Sequence, residues 1–145
     1  MQRMQQEDVI REILSDINGG ERRVYFFHGR SGCGKTMTVY RVAELLGLKV
    51  YRTFPGNAVS DKKVLRKYIT EVPLVVVEYD ATYYSNLDPV YRFMDQYDNA
   101  VAVFFVTSVY DPHSQFGLRS GSNEEREFCT KFKVYDMNTM KLIYS

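Results

Sequence analysis

The chain has 145 residues, a formal net charge of +1, 45% hydrophobic residues and only two cysteines. That length makes one domain able to bury roughly two thirds of its unfolded surface, so neither a disulfide nor a structural metal is required. Lysine and arginine are spread along the chain, which excludes a basic tail or a broad nucleic-acid footprint. The cysteine count excludes a disulfide framework, and no apolar run approaches the ~18 residues of a membrane span, so a soluble intracellular protein is expected.

Residues 5–17 place Val9, Ile10, Ile13, Leu14 and Ile17 on one helical face and Glu7, Asp8, Arg11, Glu12 and Asp16 on the other, before Asn18-Gly19-Gly20 ends the pattern. An amphipathic helix packed on the body of the domain is expected. Val24-Tyr25-Phe26-Phe27-His28 reads as a buried parallel strand. It runs into Gly29-Arg30-Ser31-Gly32-Cys33-Gly34-Lys35-Thr36, which satisfies the phosphate-loop pattern G-x-x-x-x-G-K-[ST] at every constrained position. Glycines let successive backbone N–H groups turn toward a phosphate without Cβ clashes, Lys35 reaches the β and γ oxygens of a nucleoside triphosphate, and the Thr36 hydroxyl takes a Mg²⁺ position. Met37, Val39, Val42, Ala43, Leu45 and Leu46 then follow at helical spacing until Gly47. The N-terminus of that helix points its partial positive charge at the phosphates, and Met37 is counted with the loop among the nucleotide contacts.

Lys49 to Phe54 alternates like a strand, Pro55-Gly56-Asn57 turns the chain, and residues 60–70 gather Val64, Leu65, Tyr68 and Ile69 on a short helix. Leu74-Val75-Val76-Val77-Glu78-Tyr79-Asp80 reads as a central strand running into acid at its carboxyl end, where ligands sit in open α/β sheets. Glu78 is therefore assigned to Mg²⁺ and Asp80 is a candidate to activate the attacking water. Asp88-Pro89 starts a helix bearing Val90, Phe93, Met94 and Tyr97 on one face. Residues 100–106 form a second apolar strand, ending in Thr107-Ser108; these hydroxyls either sense the γ-phosphate or simply end the strand. The stretch from 110 to 123, with Arg119 in it, reads as a mobile loop. Ser122-Asn123-Glu124-Glu125 forms a capping box for a short helix carrying Arg126. Phe132 to Tyr135, a turn at Asn138 and Lys141 to Tyr144 make a C-terminal β-hairpin, on which the chain stops as a fragment of a longer polypeptide would. His28 and His113 lack metal-ligand spacing and are read as non-catalytic.

These elements predict an α/β, three-layer P-loop NTPase with a mostly parallel central sheet. The strand and helix of residues 49–70 intervene between the loop helix and the acidic strand. The sheet is therefore expected to insert a strand between the loop strand and the acidic strand, as motor-like ATPases do. The guanine signature N-K-x-D is missing from the sequence, which disfavours a GTPase.

The chain resembles the superfamily 3 helicase domain of replication initiator (Rep) proteins from small circular single-stranded DNA viruses and related plasmids. The likeness lies in the glutamine-bearing helix from Gln5-Gln6 to Ile17, in Arg23, the phosphate loop, the strand Leu74 to Glu78, the helix ending Met94-Asp95-Gln96-Tyr97, and the strand ending Thr107-Ser108. It implies an AAA+-like motor that hydrolyses ATP with Mg²⁺, assembles as a ring, and unwinds single-stranded nucleic acid, DNA more than RNA, in the host nucleus if viral. Three features depart from the family: Val109 replaces an asparagine, Tyr79 separates the two acids, and only Asp98 and Asn99 stand where a basic segment is usual. A nucleotide-binding assembly module with little turnover, or a small phosphotransferase, stays open beside the motor. Arg30 lies where it can touch phosphate. Arg126, ahead of Arg119, is the expected catalytic arginine, meeting the developing charge on a neighbouring subunit's nucleotide.

Overall fold

A computed structural model of the chain describes residues 2–20, 24–53, 74–78, 87–96, 100–107 and 112–144. The elements are α1 (Gln2–Asn18), β1 (Val24–His28), α2 (Lys35–Leu46), β2 (Val50–Thr53), β3 (Leu74–Glu78), α3 (Asp88–Gln96), β4 (Ala102–Thr107), α4 (Pro112–Phe116), α5 (Asn123–Lys131), β5 (Lys133–Asp136) and β6 (Lys141–Tyr144). One six-stranded sheet has the order β2-β3-β4-β1-β5-β6. Its first five strands run parallel and β6 pairs antiparallel with β5, giving the expected terminal hairpin.

A strand does lie between the loop strand and the acidic strand, and it is β4; the strand of residues 50–53, whose place in sequence suggested the insertion, sits at the sheet edge. Composition explains the placement. All six residues of β4 are buried, which only a central position allows, whereas β2 carries the exposed Arg52. The helix expected over residues 60–70 lies outside the described residues.

Strand alternation divides the core into two. On one face Val24, Phe26, Val103, Phe105 and Val134 meet Val90 of α3, Leu118, and Phe128 and Phe132 at α5. On the other, Tyr25, Phe27, Phe104, Val106 and Tyr135 meet Val9, Ile10 and Ile13 of α1 and Val39, Val42 and Ala43 of α2. Helices therefore cover both faces, and α1 packs with the face its apolar spacing marked. Phe26 lies at the middle of an aromatic cluster, 6.3 Å from the ring centroids of Phe105, Phe128 and Phe132 and 6.4 Å from that of Phe116.

The stretch read as a mobile loop contains α4, and Phe116 and Leu118 anchor it to the core beside Phe26. Glycine content suggested a loop, but two apolar side chains decide its packing. The capping box forms with a shift: Ser122 caps α5 by accepting the Glu125 N–H at 3.2 Å, while Glu125 accepts from the N–H of Gly121, one residue before the cap.

A second tie fixes α1 to the sheet. Lys133 of β5 is buried, and its ammonium lies 2.6 Å from both Glu12 and Asp16. Burial alone would lower its pKa, but hydrogen bonds to Asp16 and Glu12 outweigh burial and hold it above the ordinary 10.5. Lys133→Met is expected to destabilise the fold by about 2 kcal/mol by leaving two carboxylates facing each other. That is less than the about 3–5 kcal/mol of a fully buried pair, because the Glu12 side chain is 44% exposed. A raised lysine pKa contributes stability that is fully present below the unfolded value and is lost as pH rises through the folded one. Urea unfolding should therefore show the gap between wild type and variant closing as pH rises past the ordinary lysine value of 10.5 and through the higher folded one.

Candidate nucleotide site

The loop between β1 and α2 takes its shape from three glycines, for two different reasons. Gly32 (φ +84°) and Gly34 (φ +98°) occupy left-handed backbone that costs a side-chain-bearing residue about 1–2 kcal/mol. Gly29 is required by space, since a Cβ there would stand 2.7 Å from the Cys33 Sγ and 3.3 Å from the backbone nitrogen of Asn138. Gly34 is also the N-cap of α2, so no side chain caps that helix and its positive end is left to the loop.

Lys35 is only 6% exposed. Its ammonium donates to the Gly29 carbonyl and, at 3.0 Å, to the Arg30 carbonyl, with the Cys33 Sγ 3.8 Å away. Among the described residues these partners are dipoles and a sulfur, not a carboxylate. The positive charge is thus oriented without being neutralised, which suits an anionic ligand.

Three neighbouring elements brace the loop. From α1, Gln6 Nε2 donates to Thr38 Oγ1 at 3.0 Å, and that hydroxyl donates to the Gly34 carbonyl at 2.7 Å. From β4, the Thr107 carbonyl accepts the Gly29 N–H at 3.2 Å. From the β5–β6 turn, Met137 N–H donates to the His28 carbonyl at 2.8 Å and Asn138 Oδ1 accepts the Arg30 N–H at 3.0 Å.

Gly29, Arg30, Ser31, Gly32, Cys33, Gly34, Lys35, Thr36 and Met37 are therefore brought together, with Thr36 half-buried in the first turn of α2 and the Met37 side chain 72% exposed. Thr107 ends β4 opposite His28, and its buried hydroxyl has no hydrogen-bond partner among the described residues. An unsatisfied buried hydroxyl costs about 1–3 kcal/mol, a cost that the side chains of Tyr91, Gln115 and Tyr135 also carry. Glu78 is the last residue of β3 and pairs in register with Val106, which pairs in turn with Phe27, so its backbone lies one strand beyond β4, level with the residue two before Gly29. Asp80 and Ser108 lie outside the described residues. Arg126 is exposed on α5, where its Nη2 donates to the Gly121 carbonyl at 3.2 Å; no described contact joins it or the exposed Arg119 to the loop. Asn138 was legible only as a turn residue. Its signal was Asp136-Met137-Asn138, an acid two residues ahead of an N–H it can accept, as it does at 2.9 Å.

A parallel sheet with a glycine-rich phosphate loop between β1 and α2, and β4 set between the loop strand and the acidic strand, is a P-loop NTPase fold. No protein-family model and no curated protein matches the chain. Among solved structures it is similar to the AAA domain of FIGL-1, crystallised in complex with ADP, with a TM-score of 0.56 and 12% identity over 90% of this chain. The chain spans 51% of that structure, about half its length, and at this identity the likeness is one of fold. No helix among the described residues is long and apolar enough to cross a membrane.

Proposed function

We propose that this chain is an ATP-driven motor domain of the superfamily 3 type, hydrolysing ATP with Mg²⁺ and acting on single-stranded nucleic acid as part of a ring. The observation that carries the reading is the buried Lys35 ammonium, held by loop carbonyls at the positive end of α2. ADP bound to a domain of similar fold supports ATP as the ligand. The residues present fit the nucleotide: the glycines leave the loop backbone open to a polyphosphate, and Lys35 meets its β and γ oxygens. Thr36 and Glu78 would hold Mg²⁺, which supplies charge neutralisation when bound. Thr107 offers its buried hydroxyl to the γ-phosphate or the attacking water, with Ser108 beside it in sequence. Asp80 is assigned to the water.

Glu78→Gln is expected to leave ATP binding in place and lower turnover by about 10²-fold, since the isosteric amide keeps the shape and loses the charge. Phosphate release alongside a binding titration checks this; a larger loss from Asp80→Asn would reverse the two assignments. The motor reading itself is tested by ATP turnover with and without single-stranded DNA or RNA. Stimulation, greater with DNA, is expected. Turnover indifferent to both polymers would favour the second reading, a nucleotide-governed assembly module, to which Val109 and the missing basic segment already lend weight.

A further inference from the structure

The β5–β6 turn reaches the phosphate loop in a way that closing a hairpin does not require. Asn138 Oδ1 accepts the Arg30 N–H at 3.0 Å, and Gly29 lies so close that a Cβ on it would stand 3.3 Å from both the Asn138 backbone nitrogen and Oδ1. Asn138 is itself set in place, because its own N–H donates to Asp136 Oδ1 at 2.9 Å and the preceding Met137 N–H donates to the His28 carbonyl at 2.8 Å. The Arg30 N–H and the Gly29 carbonyl are two ends of one planar peptide unit and point in opposite directions. That carbonyl is an acceptor of the Lys35 ammonium. A continuous line of contacts thus runs from Asp136 through Asn138 and the 29–30 peptide to Lys35.

We propose that Asn138 is a positioning residue for the nucleotide site: by holding the Arg30 N–H it fixes the rotation of the 29–30 peptide, and with it the seat of Lys35, before nucleotide arrives. The inference rests on the nucleotide-binding reading given above. Gly29 has no side chain to restrict that peptide, so an external hold is what selects its orientation. Without it the loop samples orientations in which Lys35 has lost its seat, and apparent affinity falls with the fraction of competent loop. Once nucleotide is bound the ligand holds the lysine instead. The loss should therefore appear in KM and in ADP affinity, with kcat nearly unchanged.

The test uses the full chain with Asn138→Ala and Asn138→Asp, the latter keeping an acceptor oxygen. Two readouts are taken: hydrogen exchange of the Arg30 amide in nucleotide-free protein, and ADP binding by calorimetry. Asn138→Ala is expected to speed Arg30 exchange and to weaken ADP binding by about 10-fold, while Asn138→Asp retains Arg30 protection. Wild-type ADP affinity in the alanine variant, or unchanged Arg30 protection in it, would overturn the proposal. If the wild type binds no ADP, the nucleotide reading falls, and Arg30 exchange then decides the hold by itself. A loss confined to kcat with KM unmoved would also count against a positioning role.

Discussion

Replacing Lys35 by alanine is expected to lower ATP turnover by about 10³-fold or more while the protein stays folded. The site has little else with which to offset phosphate charge: among the described residues of the loop, Arg30 is the other cation, and it is exposed. The fold should tolerate the change because the described partners of the lysine are the Gly29 and Arg30 carbonyls and a thiol, so truncation strands no buried carboxylate. Circular dichroism and the thermal midpoint should stay near wild type while phosphate release is lost. Wild-type turnover in a folded Lys35→Ala protein would remove the loop from the chemistry.

Arg126→Ala is expected to cost about 10³-fold in turnover, at the lower end of the ~10³ to 10⁵ that a catalytic arginine contributes in GTPases. Arg126 is exposed on α5, bonded to a neutral carbonyl, and joined to its own phosphate loop by no described contact. An arginine so placed serves a neighbour's nucleotide if it serves any. Specific activity should rise with protein concentration, and mixing Arg126→Ala with Lys35→Ala protein should restore turnover, because one partner supplies an intact loop and the other an intact arginine. Activity independent of concentration, with no rescue on mixing, would make the site self-contained and favour a phosphotransferase.

Local chemistry made the strand–loop–helix unit legible. The run Val24 to His28, the fixed spacing of Gly29, Gly34, Lys35 and Thr36, and the stop at Gly47 all state short-range constraints, and the helix ends there with Gly47 in left-handed backbone, as the spacing predicts. Sheet order was half legible. An inserted strand followed from chain order, but its identity turned on burial of both faces, which the uninterrupted Ala102 to Val106 run displayed and Arg52 denied to β2. The packing of 112–118 was missed because two apolar residues, Phe116 and Leu118, make no periodic pattern, and contacts with Phe26 and Phe128 exist only in three dimensions. Asn138 was hidden for the same reason: its partner Arg30 is 108 residues away in sequence.

Whether the loop from Gly29 to Thr36 binds a nucleoside polyphosphate with Mg²⁺ is decided by calorimetric titration of the wild-type chain with ADP and with ATP, each with and without Mg²⁺. Saturable one-to-one binding of both nucleotides, tighter with Mg²⁺ and abolished by Lys35→Ala, is the predicted result. A folded wild-type protein that takes up neither nucleotide at about millimolar concentration, where weak sites already fill, would contradict it.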